Sequence, residues 1–169
     1  MSDAVDAIVE QWEKERPDLI DRLWPVELLA RVQRMNRVLE REMKAFCAAH
    51  GVENNGEFDV LTTLRRSGPP YALTAGAFLK AAMVTSGAIT NRIDRMEAKG
   101  LVERVRDGAD RRTVKIRLTD RGKEVTDRLM DEHLRNYARL VDGLDPEECA
   151  RAAGLLRAFL EQHGDTSIT

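Results

Sequence analysis

Apolar residues recur at the three- and four-residue spacing of an α-helix through most of the chain. Residues 3–16 keep this spacing up to Pro17, and residues 26–49 keep it up to Gly51, so a helix is predicted to end at each point. Further helices are predicted over residues 56–66, 75–82, 86–99, 120–141 and 146–162. The pattern therefore predicts a mainly helical protein.

Residues that can cap a helix stand at four of the predicted starts. Thr74, the pair Thr85-Ser86, Thr119 and Asp145 each precede a predicted helix. Their side-chain oxygens can accept hydrogen bonds from the first backbone N–H groups, which lack partners inside the helix. Asp145 is also followed by Pro146, whose missing N–H costs nothing at the first helical position. These local signals support the boundaries that the apolar spacing predicts.

The pattern changes after Gly100, where apolar and polar residues begin to alternate. Residues 101–105 and 113–118 both show this period of two, and the turn-rich segment 107–110 lies between them. Two such segments around a turn predict a β-hairpin, the only strand signal that we find in the sequence. The predicted fold class is mainly α with a small β-hairpin. Three short helices followed by a hairpin indicate a winged helix-turn-helix.

Composition and length fit this prediction without changing it. The chain has 169 residues, of which 43% are hydrophobic and 33% charged, as expected for a single globular domain. It contains no run of 18 apolar residues that could cross a membrane. The acidic first residues lack the basic and apolar parts of a signal peptide. We therefore expect a cytoplasmic protein without a membrane partner.

The charges are distributed unevenly along the chain. The net charge is −2, which argues against coating of nucleic acid by charge alone. Residues 1–60 carry 8 basic and 13 acidic side chains, whereas residues 85–123 carry 11 basic and 6 acidic ones. The positive charge is thus concentrated around the last short helix and the hairpin. Such a local basic region is typical of a surface that contacts DNA phosphates.

The sequence contains no pattern that indicates an enzyme. Cys47 and Cys149 are far apart, and His50, His133 and His163 share no metal-ligand spacing. There is no glycine-rich phosphate loop and no nucleophile motif. We expect no catalytic residues, no cofactor and no metal. The cysteines are most simply reduced and structural, and a thiol-based redox sensor is the alternative that they leave open.

The predicted helix 86–99 has one apolar and one polar side. At 100° per residue, Ile89, Ile93 and Met96 share one face. The opposite side offers hydroxyl, amide and guanidinium groups that can pair with base edges or phosphates in a major groove. From this helix and its start we predict five DNA-binding residues, Thr85, Ser86, Thr90, Asn91 and Arg95.

The predicted hairpin carries a cluster of basic residues near its tip. A basic wing beside a helix-turn-helix can follow the DNA backbone or insert an arginine into the minor groove. The predicted DNA-binding residues of the wing are Arg106, Arg111, Arg112 and Lys115. A winged-helix module that binds protein instead of DNA is the alternative, and the clustered arginines argue against it.

The helix and the hairpin together resemble the MarR family of bacterial regulators. The resemblance is carried by TSGAITNRIDRMEAKGLVER at residues 85–104, DRR at 110–112 and RLTDRG at 117–122. It is specific over residues 56–122 and extends in layout over nearly the whole chain. It implies a homodimer whose terminal helices intertwine and which binds a palindromic operator in double-stranded DNA. It also implies repression that a small ligand or an oxidant relieves.

A narrower resemblance is to the branch of this family that includes PecS and the urate-responsive regulators. It rests on Gln11-Trp12 and the motifs RPDL, EFDVL and TNR at residues 16–19, 57–61 and 90–92. The branch implies a pocket for an anionic aromatic effector such as urate. Its residues correspond here to Trp12, Asp59 and Arg92, with Arg104 as a possible fourth member. The chain departs from the branch at two positions, Ile20 and Ala75.

Helix periodicity supports part of this pocket. Arg92 lies about 60° from the centre of the apolar face of its helix, where it can reach the body of the protein. Asp59 lies nearly opposite the apolar side of its own helix, so its role rests on the resemblance alone.

The resemblance also implies an organisation into four segments. N-terminal helices over residues 1–50 serve dimerisation and the possible ligand pocket, and residues 51–118 form the winged helix-turn-helix. Residues 119–164 form C-terminal dimerisation helices, and residues 165–169 form a flexible tail.

Overall fold

The computed structural model describes residues 2–81, 89–106 and 113–166. The chain divides into two compact units, residues 1–49 and residues 50–169. The predicted DNA-binding residues Thr85, Ser86, Arg111 and Arg112 lie outside the described residues.

The first unit consists of helices. Helix α1 (Ala4–Glu15) leads through a short 3₁₀ helix (Pro17–Arg22) to the long helix α2 (Trp24–Ala49). Its small core contains Val5, Val9 and Leu23. The bounds of α1 and α2 agree within two residues with those that the apolar spacing predicts, whereas the 3₁₀ helix was not predicted.

The start of α1 is tied to α2 by charge. The Asp3 carboxylate accepts hydrogen bonds from the backbone N–H groups of Val5 and Asp6, and the Asp6 carboxylate accepts one from the N–H of Asp3. This reciprocal cap satisfies donors that the first turn leaves free. The Arg31 guanidinium of α2 lies 2.9 Å from the Asp3 carboxylate and 2.5 Å from that of Asp6.

The described residues of the second unit form five helices and three short strands. The helices are α3 (Asn55–Arg66), α4 (Ala75–Ala81), α5 (Ile89–Ala98), α6 (Asp120–Leu140) and α7 (Pro146–Gln162). The strands are β1 (Ala72–Thr74), β2 (Val102–Arg106) and β3 (Val114–Leu118). Helices α3, α4 and α5 followed by β2 and β3 give the order of a winged helix.

The sheet is larger than the sequence predicted. The predicted hairpin is present as β2 and β3, in which Val102 pairs with Leu118 and Arg106 with Val114. A third strand, β1, pairs with the other edge of β3, so the strand order is β1-β3-β2 and all pairs are antiparallel. The statement that the hairpin is the only strand signal was therefore wrong as a description of the sheet. Three residues are too few to show an alternating pattern.

Three of the predicted helix caps are confirmed. The Thr119 hydroxyl accepts a hydrogen bond from the N–H of Gly122 at 2.9 Å, and the Asp145 carboxylate accepts one from the N–H of Glu147 at 3.0 Å. The Thr74 hydroxyl accepts one from the N–H of Ala77 at 3.1 Å.

The core of the second unit is built around α3. Val60, Leu61 and Leu64 of this helix are almost completely buried. Buried side chains from the other elements of the unit complete the core, namely Phe78, Ile93, Met96, Val102, Ile116, Leu118 and Leu129. His133 of α6 is buried as well, with its ring centroid 4.9 Å from that of Phe58 and 4.0 Å from that of Tyr137.

The start of α6 is fixed to the base of the wing by close contacts. The backbone N–H of Thr119 donates to the carbonyl of Leu101, and the Thr119 hydroxyl donates to the carbonyl of Gly100 at 2.7 Å. A Cβ atom on Gly122 would lie 1.9 Å from the carbonyl oxygen of Leu101. Only glycine allows the helix to approach the wing base this closely.

Among the described residues, no helix is long and apolar enough to cross a membrane. The same residues contain no group of three or more histidine, cysteine or acidic side chains that could hold a metal ion.

Candidate DNA-binding surface and effector site

Helix α5 separates an apolar face from a polar one as its sequence predicts. Ile93 and Met96 are buried, whereas Thr90, Asn91 and Arg95 are exposed. The three exposed residues lie within two turns of one another, so hydroxyl, amide and guanidinium groups share one surface. This surface presents the donors and acceptors that base edges and phosphates can use. That these residues contact DNA remains a prediction.

The described part of the wing adds basic residues. Arg106 is exposed at the last described position of β2, and Lys115 is half-buried on β3. Not every arginine of the hairpin is available to a ligand: the Arg117 guanidinium lies 2.7 Å from the carboxylate of Glu103 on the neighbouring strand. The predicted contacts of Arg106 and Lys115 with DNA also remain predictions.

A row of charged residues joins α5 to the start of α3. The Arg95 guanidinium lies 2.9 Å from the Glu53 carboxylate, and the Lys99 ammonium donates to both Glu57 carboxylate oxygens, at 2.8 and 3.0 Å. Glu57 is buried and also accepts a hydrogen bond from the backbone N–H of Glu53. These donors compensate the cost of burying its charge. The two ion pairs hold α5 to α3.

The sequence carried a signal for these pairs that we did not use. Glu53 and Glu57 are four residues apart, and so are Arg95 and Lys99. At this spacing Arg95 and Lys99 share one side at the end of α5, whereas Glu53 precedes α3 and is brought beside Glu57 by the residues that lead into the helix. We assigned Arg95 to DNA without considering that a carboxylate also holds it.

Arg92 contributes a third positive charge on this side of α5. Its guanidinium lies directly against Gly56 in the first turn of α3, where a Cβ atom would be only 2.4 Å from its Cζ and Nη2 atoms. Its Nε and Nη1 atoms are buried and have no hydrogen-bond partner among the described residues. Buried guanidinium donors normally find acceptors, because leaving them unpaired is costly. We call the contact of Arg92 with Gly56 the arginine seat.

Asp59 lies on the same side of α3 as the arginine seat. It follows Gly56 by three residues, which places the two positions on one face of the helix. Helix periodicity placed Asp59 away from the apolar side, yet the residue is only 7% exposed. Asp59 is buried because α3 is enclosed on almost every side, so that even its polar face is buried.

Arg104 holds α5 to the wing. Its guanidinium donates to the carboxylates of Asp94 and Glu97 on α5, and its backbone N–H donates to Glu97 at 3.0 Å. The hydrogen bond to Asp94 raises the pKa of Arg104, which stays charged under all ordinary conditions. The role of Arg104 as a fourth effector ligand remains a prediction, and the contacts show a link between helix and wing.

Trp12, the remaining predicted effector residue, belongs to the first unit. It lies on α1 and is 48% exposed. An indole this exposed is available for stacking against an aromatic molecule. Its participation in an effector site remains a prediction.

The cysteines give little support to the thiol-sensor alternative. Both are reduced thiols, Cys47 being buried and Cys149 partly exposed. Reactive cysteines are accessible and are activated by neighbouring positive charge. Burial makes Cys47 a poor candidate for that chemistry.

Known proteins share both the sequence and the architecture. A model of the MarR family matches residues 50–113. The HTH-type transcriptional regulator PecS of Dickeya dadantii is 34% identical over 159 residues, which cover 94% of this chain and 93% of PecS. The resemblance to the PecS branch that the sequence suggested is therefore confirmed at the level of the whole chain.

Two solved structures are similar in fold. Sco3205 of Streptomyces coelicolor, solved in complex with DNA, has a TM-score of 0.69 and 24% identity, covering 82% of this chain and 87% of its own. BpsR of Bordetella bronchiseptica, whose DNA binding is regulated by 6-hydroxynicotinic acid, has a TM-score of 0.64 and 25% identity, covering 79% of this chain and 93% of its own.

The match to PecS over nearly the whole of both chains and the winged-helix order of the second unit lead to one conclusion. The chain belongs to the MarR family and is a winged-helix, DNA-binding transcription regulator.

Proposed function

We propose that this regulator is a repressor that binds a palindromic operator as a homodimer and is released by a small anionic aromatic effector. The arginine seat carries the effector part of the proposal. It places a charged side chain of the DNA-reading helix against α3 with two donor atoms unsatisfied among the described residues.

DNA readout is assigned to the outer face of α5 and to the wing. Thr90, Asn91 and Arg95 are exposed on α5, and Arg106 is exposed on β2. The proposal adds to them Thr85 and Ser86 at the start of the helix, and Arg111, Arg112 and Lys115 in the wing. A helix inserted in the major groove would read base edges, while the basic wing would neutralise phosphates.

Dimerisation is assigned to the terminal helices. Helix α7 has no buried residue within this chain, although Leu155, Phe159 and Leu160 lie along it. Monomeric proteins rarely expose a continuous apolar surface of this kind. A second copy is the proposed occupant, because a palindromic operator requires two recognition helices related by a two-fold axis.

Effector binding is assigned to Arg92 and Asp59, with Trp12 as the aromatic contact that the family resemblance implies. An anion at the arginine seat would supply the missing acceptors for Nε and Nη1. The same negative charge would repel an ionised Asp59 nearby and disturb the packing of α3 against α5. An aromatic acid regulates the DNA binding of BpsR, which supports the chemical class of effector proposed here.

The mechanism follows from the position of Arg92. Its helix reads DNA with one side and holds the effector with another, so any shift of the helix towards the effector changes its fit to the groove. Effector and operator then favour different arrangements of α5, and each weakens binding of the other by the same factor. Shifting the operator from mostly bound to mostly free requires a preference of about 5.5 kcal/mol.

The experiment is a panel of anions, with urate first and 6-hydroxynicotinate and acetate beside it. It uses the wild-type protein and an operator that the protein itself selects from random duplexes. Urate at 100 times its dissociation constant should stabilise the free protein by about 2.7 kcal/mol and release the operator. Arg92→Gln should abolish both responses, whereas Arg128→Gln, which removes an exposed arginine of α6, should retain them. If no aromatic anion acts on the wild type, the effector assignment is wrong.

A further inference from the structure

Gly56 stands where neither backbone conformation nor open space explains a glycine. Glycine in a helix is unfavourable because it loses much conformational freedom on folding. Several other described glycines have a positive φ angle, which favours glycine, but Gly56 does not. A Cβ atom on Gly76 or Gly154 would meet nothing within 4 Å, whereas one on Gly56 would be crowded.

The crowding at Gly56 comes from one side chain. A Cβ atom there would lie 2.4 Å from Arg92 Cζ, 2.4 Å from Nη2 and 2.8 Å from Nε. These distances are far below van der Waals contact, so the guanidinium cannot keep its place beside any residue other than glycine. The Arg92 guanidinium occupies the space that a side chain at position 56 would fill.

The position is an unusual one for an arginine. The start of a helix carries partial positive charge even when it is capped, as α3 is by Asn54, and a cation placed there is disfavoured. Arg92 is nevertheless held at the first turn of α3, with two buried donors that lack acceptors among the described residues. Two positive groups that converge on one place are suited to an anion and contribute little to stability without one.

We propose that Gly56 is a positioning residue that holds the Arg92 guanidinium in its anion-binding place between α5 and α3. The identity of the anion rests on the proposed function, but the dependence of Arg92 on Gly56 does not. Any side chain at position 56 moves the guanidinium outwards. The guanidinium is the far end of a flexible side chain, so it can move while both helices remain in place.

A substitution at position 56 should therefore affect the response to the effector without affecting the fold. A methyl group at position 56 should leave the winged helix intact, because the residue that must move is flexible. It should remove the charge from the arginine seat, and the effector then loses its principal attraction. The residue at position 56 thus decides whether a chain with this fold can use Arg92 to bind an anion.

The test uses the full-length protein with ¹⁵N-labelled arginine and follows the Arg92 Nε–H signal by NMR. Loss of one signal in Arg92→Lys assigns it. In the wild type the Arg92 proton should exchange slowly with water, because Nε is buried. In Gly56→Ala the same signal should move towards that of exposed arginines and exchange at least tenfold faster. Gly76→Ala is the matched control and should leave the signal unchanged.

Effector binding is measured in the same variants with urate as the ligand. Its affinity should fall at least tenfold in Gly56→Ala and stay unchanged in Gly76→Ala. If the wild type does not bind urate, the proposed effector is wrong, while the Nε–H comparison still decides the role of Gly56. An unshifted, slowly exchanging Arg92 signal in Gly56→Ala overturns the inference.

A folding defect in Gly56→Ala is resolved by a second variant. Replacing Arg92 by alanine as well removes the atoms that clash with the new methyl group. The Gly56→Ala/Arg92→Ala protein should then fold with a melting temperature close to that of Arg92→Ala. Continued failure to fold would show that something other than Arg92 needs the glycine, and this also overturns the inference.

Discussion

Helices α3 and α7 are similar in kind but opposite in environment. Nearly every residue of α3 from Gly56 to Leu64 is buried, including the charged residues Glu57 and Asp59. No residue of α7 is buried, although leucines and a phenylalanine lie along it. The first helix is enclosed within one chain, whereas the second has an apolar surface that no described residue of the chain buries. An amphipathic sequence predicts a helix but not the molecule against which it packs.

The largest effect is expected from a cavity in α3. Leu64 is completely buried, so Leu64→Ala removes packed methyl groups and should cost about 2–5 kcal/mol of unfolding free energy. Urea denaturation at a fixed protein concentration measures this cost. Self-association measured by sedimentation velocity should not change, and a cost below about 1 kcal/mol would contradict the enclosed position of α3.

The same substitution in α7 should act on association instead. Leu155 is 54% exposed within the chain, so Leu155→Ala should change the stability of one protomer by no more than about 0.5 kcal/mol. If α7 packs against a second copy, the lost apolar contact should raise the dissociation constant by about tenfold or more. Sedimentation velocity over a range of concentrations measures it. A wild-type protein that is monomeric at all concentrations would disprove the assignment of α7 to the dimer.

A smaller effect connects α3 to pH. His133 of α6 is 8% exposed and lies against Phe58 of α3, and burial lowers the pKa of its imidazole below the ordinary value of 6.5. The folded state therefore takes up this proton less readily than the unfolded state. The stability that neutral His133 contributes is complete above about pH 6.5 and is lost as the pH falls, by at most about 1.4 kcal/mol per pH unit.

Denaturation curves between pH 5 and pH 8 test this dependence. His133→Gln should flatten the loss of stability below pH 6.5, because glutamine does not titrate there. His163→Gln, which changes an exposed histidine, is the control and should keep the wild-type slope. Equal slopes in both variants would show that burial of His133 is not the source.

Local signals predicted most of the fold. Caps such as Thr119 and Asp145 act on the backbone a few residues away, so the sequence around them is sufficient to place a helix start. Strand β1 was not predicted because it is defined by its pairing with β3, which lies more than forty residues further along the chain. A three-residue strand has no local pattern of its own.

The site was less predictable because it depends on contacts between helices. The polar side of α5 could be predicted from its sequence. The ion pair between Glu53 and Arg95 could not, because it depends on the packing of α3 against α5. Asp59 was predicted from the family resemblance alone, and helix periodicity gave no indication that the residue is buried. Helix periodicity predicted that Arg92 reaches the body of the protein, but its contact with Gly56 was not predicted, since nothing near Gly56 in the sequence points to Arg92.

The close contact between Gly122 and Leu101 has a mechanical consequence. A Cβ atom on Gly122 would lie 1.9 Å from the carbonyl oxygen of Leu101, so any larger residue would push the start of α6 away from the residue that precedes β2. This contact and the hydrogen bonds from Thr119 to Gly100 and Leu101 couple the beginning of α6 to the base of the wing. A displacement of the beginning of α6 would therefore also displace the base of the wing.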